Sequence, residues 1–191
     1  MNKSLLQKRF RFVMIIAALA LFITIVTPTY IIYKKSSAGF PKVIWMWTVL
    51  FGAGESKLST LFNFSWLAFI GYAMALVILI ISLARKFISV DAEDKKGKGG
   101  VVVDAICSMC ALIALVMFII LPFSLTNGLS TTDAGAIALT NFYGWGISFI
   151  LAYIILSVML VSSLIVVYAE AILKIKSIKD RKANSSEANK E

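Results

Sequence analysis

"LFNFSWLAFIGYAMALVILIISLA", residues 61–84, carries no charged side chain over its whole length. A helix that long crosses the ~30 Å of hydrocarbon in a bilayer, which takes roughly 20 apolar residues. Water is therefore the wrong solvent for this stretch, and the rest of the chain agrees. Residues 12–33 and 143–169 are also long and uncharged, and 101–123 is broken only by Asp104. Overall 60% of the 191 residues are hydrophobic and 15% are charged, against ~25% charged in an ordinary soluble domain. The sequence predicts an all-α integral membrane protein, with four transmembrane helices in an antiparallel bundle of two hairpins.

Working outward from the spans, residues 1–11 form a basic N-tail and 34–60 a first outer loop. A polar linker occupies 85–100 and a second outer loop 124–142. Residues 170–191 make a basic, partly disordered tail. The net charge of +9 would suit nucleic acid if it lay on one soluble face, but it is distributed by side of the membrane. Four basic residues lie in 1–11, five in 85–98 and six in 174–190, whereas the opposite side has only Lys34, Lys35, Lys42 and Lys57. The positive-inside rule then places both termini in the cytoplasm, with the plasma membrane as the expected location. Lys174, Lys176, Lys179, Arg181 and Lys182 would meet anionic lipid head groups there. Trp45, Trp47, Trp66 and Trp145 fall at or beyond the outer ends, where an aromatic belt is expected. The first apolar run is longer than that of a signal peptide, so it is expected to be retained.

The halves share a faint parallel self-similarity. "AALALFITIVTPTY" (17–30) resembles "ALIALVMFIILPFS" (111–124), which aligns Pro28 with Pro122, and Asn63 then aligns with Asn141. The first half has an extra segment, including an apolar run over 43–51 that is too short to span. It is expected to be an interfacial element over 41–51, strand or helix, anchored by Trp45 and Trp47. Removing 43–51 is then expected to leave the bundle folded.

That segment also contains "VLFGAGESKLSTLF" (49–62), which looks like a phosphate loop. A Walker A loop needs G-x-x-x-x-G-K-[ST], because its second Gly lets backbone N–H groups close on phosphate. Here Lys57 stands in place of that Gly and Leu58 in place of the Lys. No nucleotide is expected.

Cys107 and Cys110, the only cysteines, form "CSMC" in span 3. With no His in the chain, two thiolates cannot complete a zinc site, and a thiol oxidoreductase is the remaining chemical reading. Packing explains them better, since Cys107, Cys110, Ala111 and Ala114 form one narrow face of small side chains. Similar stripes are Ala68, Gly71 and Ala75 on span 2, and Gly144, Ser148 and Ala152 on span 4. Asp104 and Glu170 are the acids at the edges of the spans, and Arg85 and Lys86 are their candidate cytoplasmic-end partners.

No His, no paired acids and no base beside a Ser argue against catalysis, and no cofactor or metal is expected. In layout the chain is similar to claudin-type tetraspan proteins, which have inside termini and a longer first outer loop. Their paired outer-loop cysteines are absent. The favoured expectation is a non-catalytic membrane protein that acts through lipid and protein contacts, either as a complex subunit or as a surface-organising protein. Trp45, Trp47 and Phe51 are its candidate contact residues. A small transporter or channel, built from the two hairpins or from a homodimer of them, and a thiol enzyme using Cys107 and Cys110 stay open as alternatives; the expected partner is a protein or, as a homo-oligomer, further copies of the chain.

Overall fold

A computed structural model describes residues 3–33, 42–52, 62–88 and 99–188. The elements in order are α1 (Lys3–Ile23), a 3-10 turn (Thr24–Val26), β1 (Pro28–Ile32), β2 (Val43–Trp45), α2 (Met46–Phe51), α3 (Trp66–Ile88), α4 (Gly99–Thr126), α5 (Asp133–Phe142), β3 (Tyr143–Trp145) and α6 (Ile147–Ala188). Four helical stretches are long and apolar enough to cross a membrane: Leu6–Val26, Trp66–Arg85, Val101–Thr126 and Ile147–Ala169.

These four helices pack as a ring, α1 against α3 and α6, and α4 against α3 and α6. Their shared interior is filled by Met14, Leu21, Ile78, Phe118, Leu121, Phe149, Leu156 and Met159, all fully buried. Ile16, Leu19, Ile80, Ile119, Ile150 and Ile154 face outward and exposed. So many large apolar side chains on the surface would be untenable in water and are what lipid requires. Lipid gives no hydrophobic drive to helix association, so the interior depends on close packing. At Gly71 a Cβ would lie 2.7 Å from the Phe118 ring; the missing side chain lets α3 and α4 approach until Tyr72 meets that ring edge-on at 5.2 Å.

The two prolines aligned by the self-similarity behave differently. Span 1 was expected to run to residue 33, but its helix stops at Ile23 and Pro28–Ile32 is a strand. Proline disfavours helical backbone in the residue before it, and Thr27 is accordingly extended, at φ −106° and ψ 155°. Pro122 instead stays inside α4. Its missing N–H orphans the Phe118 carbonyl one turn back, and the Tyr153 hydroxyl of α6 donates to that carbonyl at 3.2 Å. The neighbouring helix thus makes the proline tolerable.

The α1–α3 and α4–α6 connections contribute to one cap. The three strands form an antiparallel sheet in the order β2-β1-β3, with Tyr30 opposite Ile44 on one side and Trp145 on the other. Flanking bonds extend it: Ile32 N–H to Lys42 O at 3.0 Å, Tyr33 N–H to Phe142 O at 2.9 Å and Gly146 N–H to Thr29 O at 2.6 Å. A bridge between Phe62 and Thr131 ties the loops together again. The element expected over 41–51 is therefore strand and then helix, and it is not merely interfacial. Ile44, Met46, Val49 and Leu50 are buried in the core, and Met46 N–H donates to Thr27 O at 3.1 Å. Excision of 43–51 would consequently remove core, contrary to expectation.

The second loop holds α5, whose Thr132 cap accepts from Gly135 N–H at 3.2 Å. Residues 143–145, expected to open span 4, form β3 instead, and α6 begins at Ile147. A Cβ on Gly146 would run into the Pro28 carbonyl, so glycine there lets α6 start directly beneath β1. At the other end α6 continues to Ala188, helical where a partly disordered tail was expected; its Lys, Arg, Glu and Ala are good helix formers.

Candidate functional site

Among the described residues a polar cluster marks each end of the apolar bundle. At the end carrying both chain termini, Asp104 sits on α4 with its side chain only 4% exposed. Arg11 of α1 reaches one carboxylate oxygen at 2.8 Å, and Arg85 of α3 reaches the other at 2.9 Å. The Arg11 and Arg85 side chains are 15% and 22% exposed, so three helices are joined by one nearly dry carboxylate. A buried ion pair is weak evidence of net stability, but removing one partner of such a pair costs about 3–5 kcal/mol.

Of the four end residues expected from sequence, Asp104 and Arg85 come together. The side chains of Glu170 and Lys86 lie outside the described residues. Arg11 was missed as a partner, although the signal was present: it shares a helical stripe with Met14, Ala18 and Leu21, all buried, so helical periodicity already turned it inward.

Below this triad lies a run of small side chains. Cys107, Cys110, Ala111 and Ala114 are buried, as are Ala68 and Ala75 on α3 and Ser148 and Ala152 on α6. Both thiols are free. Gly144 departs from its stripe, because it belongs to β3, where it lies opposite Ile31. Among the described residues no group of three His, Cys, Asp or Glu side chains comes together in a way that could hold a metal.

At the sheet end a hydroxyl network replaces charge. Thr24 Oγ donates to Leu21 O at 2.6 Å and so accepts from Tyr72, 2.7 Å away. Ser148 Oγ donates to Thr24 O at 3.0 Å and accepts from Thr27 at the same distance. The network joins α1, α3 and α6 where α1 gives way to the 3-10 turn, satisfying carbonyls that the ending helix leaves open. Tyr30, on β1, points into the same region and packs edge-on against Phe149 at 5.4 Å. Its hydroxyl is buried with no hydrogen-bond partner among the described residues, and burial pushes its pKa upward.

Outside this network the cap presents aromatics. Trp45, Trp47 and Phe51, the expected contact residues, are all exposed, as are Trp66 and Trp145. Between Trp47 and Phe51, Thr48, Val49 and Leu50 are buried, so the exposed rings stand on an anchored base. Phe64, Trp66 and Phe69 stack against one another at the start of α3, with centroids 4.9–6.1 Å apart. Glycine 52 ends α2 at φ +77°, a conformation that L side chains rarely adopt. The remainder of the glycine-rich stretch, 53–61, lies outside the described residues. Comparison of the chain with protein-family models, with curated proteins and with solved structures gives no match.

Proposed function

We propose that this four-span membrane protein is non-catalytic and works through contacts made by its sheet cap, as a subunit of a larger membrane complex or an organiser of the outer surface. The supporting observation is the pairing of an anchored base with an aromatic outer surface: Ile44, Met46, Val49 and Leu50 are buried while Trp45, Trp47 and Phe51 are exposed between and beside them. Aromatic anchors held rigidly lose little entropy on binding and are the residues that dominate interface energetics. The filled bundle interior favours this reading over conduction through a single copy. The uneven distribution of basic residues supports placing both termini in the cytoplasm and the cap outside, at the plasma membrane.

The test is to extract the full chain gently from its native membrane and measure the mass of the intact assembly, for the natural protein and for a Trp45→Ser, Trp47→Ser, Phe51→Ser variant. A stoichiometric foreign partner lost from the variant, with the bundle's thermal unfolding unchanged, is the expected result. A bare homo-oligomer indifferent to these substitutions would overturn the proposal and direct attention to solute flux.

A further inference from the structure

On the lipid-facing side of the bundle the seam between α1 and α6 is not flush. Two shallow concavities, of about 250 and 360 Å³, share Val13 and Val158 and so form one groove, running from Ala17 and Ile154 toward Phe10 and Ser162. Its lining is almost wholly apolar: Val13, Ile16, Val158 and Val161, with the small, exposed Ser157 among them. A concavity in a membrane-facing surface forfeits dispersion contact unless something fills it, and a lipid acyl chain has the matching shape and polarity.

Charge then selects the lipid. Arg9 precedes Val13 by four residues and Ile16 by seven, which places it on the same stripe of α1, at the terminal end of the groove. It is exposed and has no ion-pair partner among the described residues, and its long stem can run along the groove wall while the guanidinium reaches the head-group layer. We infer that a phospholipid with an anionic head group is bound in the α1–α6 seam, one acyl chain in the groove and its phosphate on Arg9. This rests on the membrane placement of the four helices and not on the docking role of the cap.

The full-length protein would be equilibrated in micelles with equal amounts of phosphatidylglycerol and phosphatidylcholine bearing identical chains, and the retained lipid counted by native mass spectrometry. One lipid per chain is expected, with phosphatidylglycerol favoured roughly five-fold, the effect of one basic residue near a lipid surface. R9Q removes the preference and leaves the thermal unfolding unchanged. K8Q removes the same charge about 100° around the helix and keeps the preference. S157F, which fills the groove, loses both lipids. Equal retention of the two lipids by the natural protein, or a preference that survives R9Q, overturns the inference. So does a two-chain assembly that S157F dissociates, since the occupant is then a second copy.

Discussion

Asp104 joins three helices through one side chain. Its two oxygens are divided between guanidiniums on two other helices, so neutralising it does not simply delete an attraction. It removes the nearly dry carboxylate on which two half-buried arginine side chains converge. Asp104→Asn, nearly isosteric, is expected to destabilise the bundle by about 3 kcal/mol or more, read from reversible unfolding in mixed micelles. An unchanged midpoint would mean that the triad is effectively solvated and that its geometry has little energetic weight. The acid itself was legible in the sequence, because a carboxylate within a span is uncommon enough to single out. Arg85 was legible as a nearby base. Arg11 was hidden among other basic residues of the N-tail, and only the packing of α1 against its neighbours turned it from a topology signal into a buried partner.

Elements in this protein are set by what lies across from them as much as by their own residues. Pro28 and Pro122 stand in similar apolar surroundings, yet one follows the end of a helix and the other lies within one. The difference resides in α6, whose Tyr153 satisfies the Phe118 carbonyl that Pro122 cannot. Tyr153→Phe alone is expected to cost about 1–3 kcal/mol, the penalty of an unsatisfied buried carbonyl. In a Pro122→Ala background the restored N–H bonds that carbonyl, and the same substitution should then cost almost nothing. Additive effects in the double-mutant cycle would show that the hydroxyl does not serve this purpose. The sheet follows the same logic. Its strands are only three to five residues long, too short to be stable as hairpins by themselves, and they exist because β1 receives a partner from each loop.

At the scale of the molecule the two hairpins are not separate modules. Helix α1 packs on α6 as well as on α3, and β1 of the first hairpin pairs with β3 of the second. Cutting the chain within 89–98 and expressing both pieces together should therefore yield a complex that co-purifies and unfolds as one unit. Either piece expressed alone should be rapidly degraded, having lost one wall of the core. Stable, non-associating hairpins would show that each is an independent unit and that the seams between them contribute little.

The sequence by itself determined the solvent and the number of spans, because uncharged length is a local property that a bilayer reads directly. It marked Trp45, Trp47 and Phe51 for exposure, since amphipathic rings beside a short apolar run suit an interface. Only the tertiary structure decided where span 1 ends, that Gly144 belongs to a strand, that residues 43–51 are half core, and that Arg11 shares Asp104 with Arg85. The last three of these depend on residues distant in the chain, such as Ile31 with Gly144 or Arg11 with Asp104. A backbone group satisfied by such a partner leaves no periodic trace in the segment that contains it.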